Sequence, residues 1–428
     1  MRTPIALAIY VSLLTGLFAT ACFADDPMAI TAEWKAIYEA GLAAGPGHSG
    51  EQQALDLFQR SWEASSTPAE QGMSAASLGQ SYRRLGRMNE AKEWMERARQ
   101  IFRANPRLAS KFAIVSSGLA DIYRIAGDYT SSERLLRESL TFPSCNADSR
   151  AMLRNNLADL LREEGRTSEA QTLFKESLSL DAISWQQRVG ALIGLADINH
   201  QNGDWAASIG QWNEVLEICR REHDERTEAI ALRGLGAAWL ASGAPARAEP
   251  LLRRALRMME DNPEMPLEEV ANAHSSLAQL YRSENKLALA EDEWSRALQM
   301  DRTVLGETHP QIGVLMARLS DVYSARGEFA LARDYAMRAS ESMRSSFGDN
   351  SMPAATALTN QAAVEQRAGD LDVAAKDYER AIRIARSFPE HRSLQVAIIQ
   401  RYAGLLKAMH RAGEAKALDM EAHSFQPK

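Results

Sequence analysis

The sequence has few of the residues that mark redox or disulfide-linked proteins. It contains three cysteines in 428 residues, and none of them has a second cysteine at C-x-x-C spacing. That absence excludes a dithiol redox motif. Proline is also sparse, at 14 residues, while 45% of residues are hydrophobic and 7% are aromatic. This composition is typical of a folded chain and argues against a largely disordered one.

The chain also lacks an excess of positive charge. It has 49 Lys and Arg residues against 56 Asp and Glu residues, which gives a formal net charge of -7. Because phosphate backbones and anionic lipids attract basic surfaces, neither nucleic acid nor an anionic membrane surface is an expected partner of the protein body.

Catalytic and metal-binding motifs are missing as well. The sequence has no P-loop, H-E-x-x-H or G-x-S-x-G string, and its histidines are scattered without metal-ligand spacing. The string Gly45-x-Gly47-x-x-Gly50 matches a dinucleotide fingerprint, but a helical pattern precedes it where that site needs a strand. We therefore expect no catalytic residues, no cofactor, no metal and no enzymatic activity.

Long hydrophobic runs are confined to the N-terminus, where residues 5–21 carry no charge. With Arg2 before this run and Cys22-Phe23-Ala24 after it, residues 1–24 are predicted to be a secretory signal. Cleavage after Ala24 would give a soluble periplasmic or secreted protein. Alternatively, Ala19-Thr20-Ala21-Cys22 resembles a lipobox, which would make Cys22 the lipidated residue of a membrane-anchored lipoprotein. An uncleaved anchor is a third interpretation.

A turn residue recurs along the chain at intervals of 38 to 42 residues. The nine positions are Gly86, Gly127, Gly165, Gly203, Gly243, Asn285, Gly327, Gly369 and His410. Glycine adopts positive φ without strain, and Asn and His are enriched among the other residues that do so. We therefore predict that all nine residues have positive φ. A period of this length indicates a stacked array of helical repeats.

The residues around each turn follow a fixed frame. The position eight before the turn is usually Leu, whereas the positions seven before and five after it are always Gly, Ala or Ser. Small residues at facing positions allow two antiparallel helices to approach closely. Each repeat is thus predicted to be a helix hairpin. We expect nine repeats over 70–424, an atypical helical pair over 27–65 that caps the array, and a tail at 425–428. Cys145 and Cys219 fall two repeats apart, so we expect buried thiols without a disulfide.

This frame resembles the tetratricopeptide repeat family. The segment Leu78-Gly79-Gln80-Ser81-Tyr82, followed by Gly86, Ala91 and Ala98, carries the resemblance, and Leu305-Gly306-Glu307-Thr308-His309-Pro310 is similar to the connector of the kinesin-light-chain subtype. The resemblance implies an all-α fold, namely a right-handed α-solenoid of tetratricopeptide helix hairpins. It also implies a concave groove, lined by the first helix of each repeat, that binds peptides or protein segments.

Groove-facing positions are expected six and three residues before each turn. In three successive repeats these positions pair an acid with a base, and a polar residue lies one helical turn before the second acid. The predicted partner-binding residues are Asp121, Arg124, Asn155, Asp159, Arg162, Asp197 and His200. Such groups can bind a peptide through charge-assisted hydrogen bonds. Equally, they can form ordinary pairs within one helix or bridge adjacent repeats.

Together these features predict a non-catalytic protein-interaction scaffold of the bacterial cell envelope. Its partner is expected to be a protein or peptide, and contact with a membrane is expected only through an N-terminal lipid anchor. Two alternatives stay open: a lipid-anchored accessory subunit of an envelope assembly or secretion machine, and an intracellular peptide-responsive regulator.

Overall fold

A computed structural model describes residues 30–44, 48–142, 145–307, 309–388 and 392–425. Helices account for 83% of this part of the chain, and it contains twenty α-helices and no strand. The all-α class and the repeated helix pairs are therefore confirmed. Residues 1–24, including Cys22, and residues 45–47 lie outside the described ranges, as do 426–428 of the predicted tail.

The chain divides into two compact units, Met1–Thr227 and Glu228–Lys428. The first contains ten helices and a short 3₁₀ turn at Pro106–Leu108. Its helices are α1 (Ala32–Leu42), α2 (His48–Glu63), α3 (Pro68–Arg84), α4 (Met88–Arg103), α5 (Ala109–Ile125), α6 (Tyr129–Leu140), α7 (Ala147–Glu163), α8 (Thr167–Leu178), α9 (Trp185–Gln201) and α10 (Trp205–Glu222).

The second unit begins within α11. Its helices are α11 (Glu225–Ala241), α12 (Pro245–Glu260), α13 (Leu267–Ser283), α14 (Leu287–Leu305), α15 (Pro310–Ala325), α16 (Phe329–Phe347), α17 (Met352–Ala368), α18 (Leu371–Ala385), α19 (Arg392–Ala408) and α20 (Ala412–Ser424). The odd-numbered helices from α3 to α19 are the first helices of the nine repeats, and the even-numbered helices from α4 to α20 are the second helices.

Within each unit the repeats stack through two kinds of contact. A second helix packs against the first helix of the next repeat, as α4 does on α5 and α14 on α15. First helices also pack on one another, as α5 does on α7, α7 on α9 and α15 on α17. Side chains at equivalent positions of successive first helices therefore line up on one face, which we call the first-helix face.

All nine predicted turn residues have positive φ, including Asn285 at 59° and His410 at 60°. In every repeat the backbone N–H of the residue after the turn donates to the carbonyl of the residue that lies four positions before the turn residue. Arg87 donates to Tyr82 in this way at 2.8 Å, and Lys286 donates to Tyr281 at 2.8 Å. This bond satisfies a carbonyl that the helix end leaves free. The turn position thus fixes the reversal between the two helices.

The small positions lie at close helix crossings, as the frame predicts. Ala290 is fully buried, and a Cβ atom added to Gly79 would stand 2.7 Å from a side-chain carbon of Met95. At Gly236 the added atom would stand 2.7 Å from Leu252. These distances are shorter than ordinary carbon contacts, so larger side chains would push the paired helices apart.

The helical pair α1 and α2 packs on α3 through aromatic and polar contacts. Trp34 and Tyr38 are fully buried and stack with their ring centroids 4.5 Å apart. The Trp34 indole N–H donates to the Ser74 hydroxyl at 2.9 Å, and the Tyr38 hydroxyl lies 2.8 Å from that of Ser77. These bonds satisfy the polar ends of two buried rings and fix the pair on the array.

Cys145 and Cys219 are both buried, and no disulfide joins them, as the sequence predicts. In the described part of the chain, no helix has both the length and the apolar character needed to cross a membrane.

Candidate functional site

The predicted binding residues lie on α5, α7 and α9, three first helices of the N-terminal unit. Asp121 is in contact with two guanidinium groups. Arg83 of α3 approaches its carboxylate at 3.2 Å, and Arg124 of the same helix pairs with it closely. Arg124 also reaches Glu163 of α7 at 3.1 Å. The first acid and base therefore pair with each other and also bridge to both neighbouring repeats.

The second pair is less completely partnered. Arg162 donates to the Asp159 carboxylate at 3.2 Å, and 18% of the Asp159 side chain is exposed. Burial raises the pKa of Asp159, the charge of Glu163 adds to that effect, and Arg162 opposes it. A carboxylate has about four lone-pair sites. Asp159 is thus a desolvated carboxylate, open on one side, that gains from further hydrogen-bond donors.

Asn155 is fully buried beneath this pair. Its amide N–H donates to the backbone carbonyl of Gln187 on α9 at 3.0 Å. Among the described residues its Oδ1 atom has no hydrogen-bond partner. Asn155 therefore connects two first helices and does not reach the surface.

The third pair, Asp197 and His200, differs electrostatically from the other two. Asp197 is buried, and its charge helps to raise the pKa of Arg162 in the preceding repeat, although burial of that guanidinium acts in the opposite direction. Burial lowers the pKa of His200, whose ring meets that of Trp205 edge-on at 5.1 Å. His200 is thus a neutral group at pH 7.

Sequence reasoning placed these seven residues on one face but missed the residues that join the repeats. Glu163 lies two residues before its turn and Gln187 near the start of its helix, so neither occupies an expected groove position. In the C-terminal unit a further inter-repeat network was missed: Asp321 of α15 accepts from Arg282 of α13 and from Arg367 of α17, at 2.9 and 3.0 Å. The arginine at 282, three residues before its turn, was the available signal.

Arg233 and Glu269 form another missed pair. They lie on successive first helices, α11 and α13, and are almost fully buried.

Across the described residues, no group of three or more His, Cys, Asp or Glu side chains has an arrangement that would hold a metal ion.

Known proteins resemble this chain in its repeats. The sequence matches the tetratricopeptide repeat family over residues 70–142, 111–182, 187–261, 269–345 and 353–428. Among curated proteins, none matches this sequence significantly.

Three solved structures illustrate the structural likeness. A Rap protein complexed with competence and sporulation factor is 12% identical, with a TM-score of 0.59 over 83% of this chain and 97% of its own. BtubC (BKLC) from P. vanneervenii is 20% identical, with a TM-score of 0.46 over 52% of this chain and 94% of its own. A putative kinesin light chain with TPR-like repeats from Podosopora anserina is 17% identical, with a TM-score of 0.41 over 47% and 97%.

The family match extends from α3 to the last helix, so it covers most of the chain and agrees with the helix pairs and with the nine positive-φ turns. The resemblance seen in the sequence is thereby confirmed: the chain belongs to the tetratricopeptide repeat family.

Proposed function

We propose that the protein is a non-catalytic interaction scaffold of the bacterial cell envelope that binds an extended protein segment along its first-helix face. Tetratricopeptide repeats of this kind support protein–protein interaction. The signal-like residues 1–24 support export. The binding site would extend over Asp121, Arg124, Asp159 and Arg162, with His200 as an uncharged polar group at its end.

The incomplete hydrogen bonding of the Asp159 carboxylate is the observation that carries this proposal. Its carboxylate accepts one hydrogen bond from Arg162, is partly exposed, and has a pKa raised by burial. Backbone N–H groups of an extended segment would supply the missing donors, and hydrogen bonds to a charged acceptor are about twice as strong as those to a neutral one. Its bond to Arg162 fixes the position of this acceptor.

A single isosteric change tests this assignment. Asp159→Asn keeps the shape of the side chain but removes the charge, so we expect partner retention to fall about tenfold while the thermal melt stays the same or rises. Asp334→Asn is the matched control, because Asp334 is an exposed carboxylate of the second helix α16 that pairs with Arg338 of the same helix. The partner is first captured by crosslinking in the native envelope and then titrated against each variant.

The double change Arg124→Ala with Arg162→Ala should also abolish binding while leaving helicity intact. Because Arg124 joins two first helices and Arg162 interacts with the charge of Asp197 on a third, urea unfolding must accompany that measurement. Unchanged retention in Asp159→Asn and in the double variant would contradict the proposed site.

Two alternatives have specific support. The segment Ala19-Thr20-Ala21-Cys22 favours a lipid-anchored accessory subunit of an envelope assembly, and labelled palmitate that is incorporated by the parent protein but not by Cys22→Ser would establish it. The fold shared with a Rap protein complexed with competence and sporulation factor favours an intracellular peptide-responsive regulator. Mass spectrometry of the mature N-terminus separates these two alternatives from the soluble exported scaffold. An N-terminus at residue 25 indicates soluble export, an acylated Cys22 indicates the lipid-anchored subunit, and a retained Met1 indicates the intracellular regulator.

A further inference from the structure

The first-helix face of the C-terminal unit differs in charge from that of the N-terminal unit. In the N-terminal unit the position six before the turn is acidic in three successive repeats. In the C-terminal unit four of the five equivalent residues are small or uncharged, namely Ala237, Gln279, Ala363 and Gly404, and the fifth is Asp321. At this position Asp321 is therefore the one carboxylate of the C-terminal unit.

Three guanidinium groups surround that carboxylate. Arg282 approaches Asp321 at 2.9 Å, and Arg367 approaches its other oxygen at 3.0 Å. Arg318 lies one helical turn before Asp321 on α15, and the two charges interact. We call Arg282, Arg318 and Arg367 the arginine cluster. With Asp321 it has a local charge of +2, although the whole chain has a net charge of -7.

Arg318 differs from the other two arginines because it has no hydrogen bond and no ion pair within the described ranges. Its side chain is half-buried, and burial lowers its pKa while the charge of Asp321 opposes that effect. A partly desolvated guanidinium that makes no hydrogen bond or close ion pair loses hydration that the described residues do not replace. An external anion would compensate that loss.

The surroundings of Arg318 leave room for such a group. The residue before it is Ala317, and the equivalent positions on α13 and α17 hold the short polar side chains Ser276 and Asn360. The residue of α17 that is equivalent to Asp321 is Ala363. These positions therefore carry small or short polar side chains next to Arg318 and Asp321.

We propose that the arginine cluster binds a side-chain carboxylate of an acidic protein segment that lies across α13, α15 and α17. This proposal deepens the interaction function proposed above and rests on it. Arg318 supplies the planar pair of N–H donors that matches a carboxylate, whereas Asp321 holds Arg282 and Arg367 in place. A nucleic acid is the less suitable polyanion, because the remainder of the acidic chain would repel it.

Peptide binding to the full chain tests the proposal. A fluorescein-labelled peptide of seven glutamates is titrated at fixed salt, with the corresponding glutamine peptide as the probe control. The parent protein should bind the glutamate peptide at least tenfold more tightly, and salt should weaken that binding. Arg318→Gln should cost about tenfold in Kd, equivalent to about 1.4 kcal/mol.

Arg338→Gln is the matched control variant, since Arg338 is an exposed arginine of the second helix α16. Equal Kd values for Arg318→Gln and Arg338→Gln would overturn the proposal, as would stronger competition by inorganic phosphate or by an RNA oligonucleotide of equal charge. Since Arg318 makes no hydrogen bond or ion pair with the residues that the structure describes, its variant should melt with the parent protein. If Asp159→Asn weakens partner retention while Arg318→Gln leaves peptide binding unchanged, the arginine cluster alone is wrong.

Discussion

Arg233 and Glu269 form an ion pair of 3.0 Å with 2% and 1% of their side chains exposed. They connect the first helices of two successive repeats in the C-terminal unit, α11 and α13. Within the described residues, the Arg233 Nε atom and the Glu269 Oε1 atom have no hydrogen-bond partner. The pair is therefore incompletely satisfied, and the desolvation of two charges offsets much of its attraction.

Breaking this pair should destabilise the protein more than replacing it. Arg233→Met leaves Glu269 buried without a counter-charge, and we expect a loss of about 3–5 kcal/mol in urea unfolding. The double variant Arg233→Met with Glu269→Leu should recover most of that loss. A double variant as unstable as the single one would show that the pair stabilises the repeat interface on its own.

The small position on α14 is a second test of packing. Ala290 is fully buried at a helix crossing, so Ala290→Leu should cost about 1–3 kcal/mol through overpacking. Ala288 lies on the same helix but is exposed, and Ala288→Leu should change stability by less than about 0.5 kcal/mol. Equal thermal melts for the two variants would refute close approach at this position.

The turn positions allow the cost of backbone conformation to be isolated. Gly327 has φ of 79°, and an added Cβ would meet no atom within 4 Å. Gly327→Ala should therefore destabilise by about 1–2 kcal/mol through its left-handed conformation alone. Gly210 is equally open but lies within the helix α10, where alanine is the better helix former, so Gly210→Ala should stabilise by about 0.5–1 kcal/mol. The prediction fails if both changes shift the unfolding midpoint in the same direction.

Glu70 should make stability depend on acid pH. Burial of its carboxyl opposes ionisation, but hydrogen bonds from the backbone and side chains of Thr31 and Ser66 hold the pKa of Glu70 at about 2, against 4.5 for a free side chain. Since the folded pKa is the lower one, this contribution is complete above about pH 4.5 and is lost as the pH falls towards 2.

Glu70→Gln should accordingly destabilise by about 1–3 kcal/mol at pH 7 and flatten the loss of stability between pH 5 and 2. Glu39→Gln, at an exposed carboxylate of α1, is the control and should leave the acid profile unchanged. A parallel profile for parent and Glu70→Gln would contradict the assigned pKa.

The periodic part of the fold is predictable from sequence because its causes are local. Positive φ at Asn285 and His410 follows from the conformational preferences of those residues, and the helix crossings follow from small residues at fixed spacing. The predicted acids and bases also lie on successive first helices. These features need only the repeat length and the helical period.

Contacts between repeats are less predictable, because they depend on the rotation from one repeat to the next and on side-chain rotamers. Arg124 could pair within its helix or across repeats on sequence grounds, and in the structure it does both. The repeat frame does not predict a role for Arg233, which lies ten residues before its turn. A charge at that position is unusual, because the equivalent residue in the other repeats is uncharged. Its partner Glu269 lies near the start of another helix, outside every recurring position.

Site-specific photo-crosslinking tests the first-helix face as the binding surface most directly. Gln279 and Gln299 are both exposed glutamines of one repeat, on the first helix α13 and the second helix α14 respectively. A benzophenone amino acid is placed at either position in cells that make the protein, and covalent adducts are measured after illumination. Adducts to a partner protein from position 279 and none from position 299 are expected. Adducts from position 299 alone, or equally from both, would contradict the account.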